Sequence, residues 1–128
     1  MDFSLTAEDQ DLKALARDFC DKRLYPQAIE FDEHEKLPDE LIKETASLGY
    51  FGCLVDESYG GLGLSTVSFM GMLEEFAAAS AAFGLMVSLH NSLVCQIIKA
   101  YGSDIIKKKY LPLLAKGDLV GAYCLTEE

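Results

Sequence analysis

From Phe76 to Ile98 the chain carries no aspartate, glutamate, lysine or arginine. So long an uncharged stretch has to be kept from water, in lipid or inside a protein core. Its polar content decides between the two. Ser80, Gly84, Ser88, His90, Asn91, Ser92 and Gln96 interrupt it too often for a good lipid-facing span. A buried helix is expected instead, from Ala81 to Ala100 and apolar nearly all round. Ser80, Gly84, Ser88, Ser92 and Gln96 recur every four positions, which predicts one face that another helix or a ligand can approach closely. Helix packing is the plainer of those two readings.

The flanking sequence supplies further helices to cover this one. Thr6 can cap a helix with Glu8 and Asp9 in its first turn, where negative charge is favoured. Leu12, Leu15 and Phe19 recur there at helical spacing, with Ala16 and Cys20 beside them. Pro26 suits the first position of a second segment through Ala28, Ile29 and Phe31. Pro38-Asp39-Glu40 starts a third helix, carrying Leu41, Ile42 and Leu48 and stopped by Gly49. A loop follows from Tyr50 to Leu64, turning at Ser58-Tyr59-Gly60-Gly61-Leu62-Gly63. Ser65 caps a helix from Thr66 to about Ala79. Gly102 ends the uncharged helix, and Ser103-Asp104 begins another that Pro112 interrupts or ends. Gly117-Asp118 is a turn, and Leu119 to Leu125 reads as a strand. The expected fold class is all-α, a bundle of about five or six helices leading into the first strand of a β-domain outside this chain. A strand needs a partner for its backbone groups, so the chain is expected to be the first part of a longer protein.

Composition excludes several functions. The net charge of -10 leaves no basic face to offset nucleic-acid phosphates. Lys107-Lys108-Lys109 is the one basic run, read as a solvated helix face rather than an anion contact. Cys20, Cys53, Cys95 and Cys124 lie far apart, without a CxxC or a histidine at metal-ligand spacing. Free thiols in a reducing compartment are expected, and no metal site. Met1-Asp2-Phe3-Ser4 has neither the basic nor the apolar region of a secretory signal, so a cytoplasmic location is expected, or the mitochondrial matrix if a transit peptide has been removed.

Candidates for chemistry are few. Gly60, Gly61 and Gly63 lack the Lys-Ser/Thr and the strand–helix context of a phosphate loop, so a turn between helices is expected. His34 lies in an acidic surface stretch. His90 beside Asn91 and Ser92 reads as a satisfied core cluster, or as the lining of a ligand channel. Glu74-Glu75 and Glu127-Glu128 are adjacent pairs whose side chains diverge, so neither makes an acid–base dyad. From the residues alone, no reaction follows.

The order of segments resembles the N-terminal helical domain of the acyl-CoA dehydrogenase family. The resemblance is carried by Leu5-Thr6, by Pro26 with Asp32, by Pro38 with Leu41, and by Leu48-Gly49. It continues through Tyr59-Gly60-Gly61, His90-Asn91-Ser92-Leu93 and Tyr101-Gly102-Ser103. Its strongest stretch runs from Lys109-Tyr110-Leu111-Pro112 through Gly117 to Leu125-Thr126-Glu127. It implies a helical domain over residues 1–117 and the first strand of a middle β-domain over 118–128.

The resemblance also implies the activity. Family members bind FAD and an acyl-CoA between domains, remove the α-proton with a carboxylate and pass a β-hydride to the flavin. It places Tyr123, Cys124, Leu125 and Thr126 against the flavin, with the Thr126 hydroxyl near N5. It places Leu85, Met86, Leu89 and Leu93 along the acyl chain, although plain core serves equally well as a reading of those four. No catalytic residue is expected in this chain, because the family's base lies in the C-terminal domain. The loop that touches CoA follows Glu128, which stands where the family often has proline. Implied partners are an acyl-CoA of short-chain, glutaryl or cyclic type, an electron-transferring flavoprotein, and copies of the same protein in a homotetramer. Two other readings remain open here: an oxidase of the same superfamily, which would make peroxide, and a helical interaction module without cofactor.

Overall fold

The structure, a computed structural model, describes residues 4–124 and Thr126. Its described residues form five helical rods and no strand. The first rod starts at Thr6, whose hydroxyl accepts from the Asp9 amide at 3.1 Å while the Asp9 carboxylate accepts from the Thr6 amide at 2.9 Å. This reciprocal box satisfies two N-terminal donors at once. Helix α1 (Ala7–Phe19) is followed directly by a π-helical turn, Cys20–Leu24, a 3₁₀ turn, Tyr25–Gln27, and helix α2 (Ala28–Glu33), which Gln27 enters from non-helical backbone at φ -121°. Pro26 thus stands in the first turn of the segment that leads into α2, as expected. The wider turn prepares for it: the Tyr25 amide reaches back five residues to the Cys20 carbonyl.

The buried face of α1 is Ala16 and Phe19, joined by Cys20 and Leu24 of the π turn. Leu15, expected in the stripe, is 61% exposed. It lies one position beside Ala16, at the edge of the face that Leu12, Ala16 and Phe19 define. Helix α3 (Asp39–Ser47) has Pro38 at its N-cap and ends at Leu48, followed by Gly49 at φ 79°. Helix α4 (Thr66–Ala79) is capped by Ser65, whose hydroxyl accepts from the Ser68 amide at 3.0 Å. The extended backbone of Ser80 breaks the line, and its hydroxyl caps helix α5 (Ala81–Ser88). Gly84 makes that corner possible, because a Cβ there would sit 2.7 Å from the Ala77 Cα.

Helix α5 continues through a second π-helical segment, Leu89–Cys95, into helix α6 (Gln96–Tyr101). Ser103 caps helix α7 (Asp104–Ala115). Pro112 lies inside α7 rather than ending it. Only the last turn follows it, and the carbonyl that loses its donor belongs to the exposed residue Lys108. After Gly117, at φ 74°, residues 120–124 are in neither helix nor strand. The expected strand over Leu119–Leu125 is thus unformed in its described part, since among the described residues no other strand is there to pair with it; Leu125 lies outside the described residues.

Two clusters form the core. One gathers Phe19, Tyr50, Phe69, Phe76, Phe83 and Val87, with rings such as Tyr50 and Phe76 at 4.9 Å. The other gathers Val55, Cys95, Leu111, Leu114 and Ala115. The rod Ala81–Tyr101, whose one charged residue is Lys99, is long and apolar enough to cross a membrane by composition, yet it serves both clusters along one side. Ion pairs flank the first cluster, with Arg17 2.6 Å from the nearly buried Glu75 and Lys13 2.6 Å from Glu74.

The loop between α3 and α4 is buried where it crosses the rod, at Tyr50, Phe51, Gly52, Cys53 and Val55. Buried backbone needs partners. Some are internal, such as the Leu62 amide on the Gly52 carbonyl at 2.8 Å. Others come from Asn91. Its Nδ2 donates to the Tyr50 and Val87 carbonyls at 2.8 and 3.1 Å, and its Oδ1 accepts from the Leu54 amide at 3.2 Å. Farther along the rod, Gln96 Nε2 donates to the Leu54 carbonyl at 3.0 Å and Lys99 pairs with Asp56 at 2.6 Å. Replacing Asn91 by alanine strands two buried loop groups, so Asn91→Ala is expected to cost about 2–4 kcal/mol in chemical denaturation. A loss under about 0.5 kcal/mol would show that the loop does not depend on it.

Candidate functional site

The rod presents two different sides. On the core side, His90 is completely buried and packs on the Phe51 ring at 4.8 Å. The Gly121 amide donates to its Nδ1 at 3.0 Å. Nδ1 must then be the acceptor, so Nε2 carries the hydrogen and donates to the Leu114 carbonyl at 3.2 Å. One neutral tautomer satisfies both bonds. Burial, the largest influence, holds the His90 pKa below its ordinary value, against the opposing bonds to backbone at Leu114 and Phe51. Of the two sequence readings of His90, the satisfied core group is the one observed.

On the other side the rod is open. Leu85 is 59% exposed and Leu89 38% exposed, with Ile97 and Tyr101 also exposed. Leu93 is half-buried. Met86 is half-buried against the aromatic cluster. Plain core therefore does not describe Leu85 or Leu89, and describes Met86 in part. The stripe of small residues does not share one environment: Gly84 is buried at the corner with α4, whereas Ser92 is exposed and bonds the Ser88 carbonyl at 2.7 Å.

Tyr123, Cys124 and Thr126 are exposed on the segment that leaves Gly121. They offer a hydroxyl, a phenol and backbone groups outside any helix or strand, a donor set suited to the uncharged rim of a flavin. Leu125 and the Glu127-Glu128 pair lie outside the described residues. The remaining candidates are structural. Gly60 and Gly63, at φ 82° and 60°, shape the loop turn. His34 is exposed, with Nδ1 2.9 Å from the Glu30 carbonyl. Lys109 lies 4.9 Å over the Tyr110 ring. Cys20, Cys53 and Cys95 are buried free thiols pushed by burial to about 12, too high for reactivity. Among the described residues no group of histidine, cysteine or carboxylate side chains could hold a metal. An apolar cleft of about 330 Å³ between Leu12, Leu15, Phe19, Leu48 and Leu62 shares no residue with the rod's open side.

Sequence reasoning missed the Gly121 bond to His90 and the Asn91 bonds to the loop. The signal was present as two polar neighbours inside an uncharged run. Their partners lie 31 and 41 residues away, beyond the reach of periodicity.

The His90 shift has a stability consequence. Its folded pKa lies below the ordinary 6.5, so the unfolded chain takes the proton first as pH falls. The stabilising contribution is complete above about pH 6.5 and is lost below it, by at most about 1.4 kcal/mol per pH unit. Melting at pH 7.5 and 5.5 should show a larger drop for the native sequence than for His90→Asn. Equal drops would contradict the assignment of a buried neutral imidazole.

Comparison with known proteins gives the architecture its family. A family profile described as the acyl-CoA dehydrogenase N-terminal domain matches residues 6–118. A short-chain specific acyl-CoA dehydrogenase of Clostridium acetobutylicum is 37% identical over 99% of this chain and 34% of its own length. The structure of butyryl-CoA dehydrogenase from Megasphaera elsdenii superimposes with a TM-score of 0.90 at 38% identity, over 99% of this chain and 34% of that one. A glutaryl-CoA dehydrogenase from Mycobacterium smegmatis, in complex with FADH2, gives a TM-score of 0.84 at 36% identity, over 91% of this chain and 30% of that one. The chain spans about a third of the length of these relatives. With the family profile covering nearly all of the helical rods, the chain belongs to the acyl-CoA dehydrogenase family, as its N-terminal helical domain.

Proposed function

We propose that this chain forms one wall of the active site in an FAD-dependent acyl-CoA dehydrogenase that converts an acyl-CoA to its 2-enoyl form. The observation that carries the proposal is the open apolar side of the rod. A core helix would bury Leu85 and Leu89, whereas here they await a cover. An acyl chain laid along Leu85, Leu89 and Leu93, with Met86 at its side, supplies part of that cover. Each methylene so buried contributes about 0.8 kcal/mol, so substrate length is set by how far the wall extends. The bulk of Met86 and Leu89 favours short, glutaryl or cyclic acyl groups.

Tyr123, Cys124, Leu125 and Thr126 hold the flavin rim through backbone groups and the Thr126 hydroxyl. Bound FAD supplies the chemistry the side chains lack, acceptance of a hydride. These apolar residues keep water from the reacting carbons. The α-proton is taken by a carboxylate outside this chain, and residues 1–117 and 118–128 divide between the helical domain and the start of the next. An electron-transferring flavoprotein as acceptor and a homotetramer complete the reading, in keeping with family membership; the location proposed from the sequence is cytoplasmic, or the mitochondrial matrix if a transit peptide is removed.

The test uses the full-length protein. Its visible spectrum should show a flavin band that bleaches when butyryl-CoA is added without oxygen. Bleaching with glutaryl-CoA or a cyclic acyl-CoA alone would reassign the substrate, and peroxide formation in air would favour the oxidase. A protein that takes up no FAD would overturn the enzymatic reading in favour of a helical module. Thr126→Ala removes one hydrogen bond and is expected to weaken FAD retention by roughly fivefold to tenfold.

A further inference from the structure

We propose that His90 is a positioning residue that fixes the flavin-contacting segment against the acyl-lining side of the rod. The inference rests on the functional reading above and adds a residue to it. His90 belongs to the π segment Leu89–Cys95, which also carries Leu89 and Leu93 of the open side. Its ring turns the other way and joins two further elements: Nε2 holds the last turn of α7 at Leu114, and Nδ1 holds the segment beyond it at Gly121. Imidazole is suited to this, since its neutral form has one donor and one acceptor on opposite edges of a rigid ring.

The anchored position is itself constrained. A Cβ at Gly121 would stand 2.6 Å from Val94 Cγ1, so glycine lets the backbone come within reach of the ring. Tyr123 follows two residues after the anchor and Thr126 five residues after it. Chain reach is at most about 3.6 Å per residue, so the anchor limits where those groups can lie. Shifting a reacting pair by about 1 Å can cost on the order of a hundredfold in rate. His90 thus links the wall that holds the acyl chain to the segment that meets the flavin, without touching either ligand.

Two conservative variants of the full-length protein separate this role from simple packing. His90→Asn keeps an acceptor near the place of Nδ1. His90→Gln keeps a donor near the place of Nε2 and loses that acceptor. Hydrogen–deuterium exchange at Gly121 and the rate of FAD release are measured for both. His90→Gln is expected to raise both by roughly tenfold, while His90→Asn stays within about threefold of the native protein. Gly121→Ala leaves His90 in place and pushes the backbone off it, so it should reproduce His90→Gln, and it decides the matter if that variant does not fold. Equal behaviour of the two His90 variants, or unchanged exchange at Gly121, would overturn the anchor. Faster exchange with unchanged FAD release would overturn its role toward the flavin. A native protein that binds no FAD would instead defeat the functional reading, and exchange at Gly121 would still decide whether the anchor exists.

Discussion

The buried loop between α3 and α4 depends on the hydrogen bonds that Asn91 makes from the uncharged stretch of the long rod. The loop between α3 and α4 passes through the interior, where unpaired backbone groups are costly. Asn91 answers two of those groups and one of the rod itself, at Leu54, Tyr50 and Val87. The loop is thereby held between the aromatic cluster and the cluster around Leu111. Among the described residues no buried side-chain nitrogen or oxygen lacks a partner. The neighbouring His90 does the same for the other side of the bundle, where α7 ends. Two adjacent polar residues thus tie three separate stretches of chain to one rod.

That arrangement leaves the opposite side of the rod free. Leu85, Leu89, Ile97 and Tyr101 stand exposed there because the buried side is already occupied. The chain spans about a third of its relatives' length, so the cover is proposed to come from the rest of the protein and its ligands.

Much of the fold was legible because it is written in local chemistry. Thr6, Ser65 and Ser103 cap helices where their hydroxyls precede helical runs. Gly49 and Gly117 stop them with positive φ. The two π segments were not legible, since a one-residue widening has no compositional mark. Leu15 shows the limit of spacing arguments, because three- and four-residue steps both fit a helix and only packing chooses between them. Pro112 shows the limit of single-residue rules, since a proline near a helix end forfeits little. The resemblance named Leu85, Met86, Leu89 and Leu93 for the acyl chain, but that Leu85 and Leu89 are exposed while Met86 and Leu93 are half-buried could be read only from the structure. The flavin-contacting candidates were named in the same way, while their tie to His90 needed the three-dimensional structure.

The most direct test of the whole account is a crystal structure of the full-length protein with FAD and a short acyl-CoA. The account predicts the flavin rim within hydrogen-bonding distance of Thr126, the acyl chain in contact with Leu89 and Leu93, and Gly121 still bonded to His90. A flavin seated away from residues 123–126, or an acyl chain that leaves the open side of the rod uncovered, would contradict it.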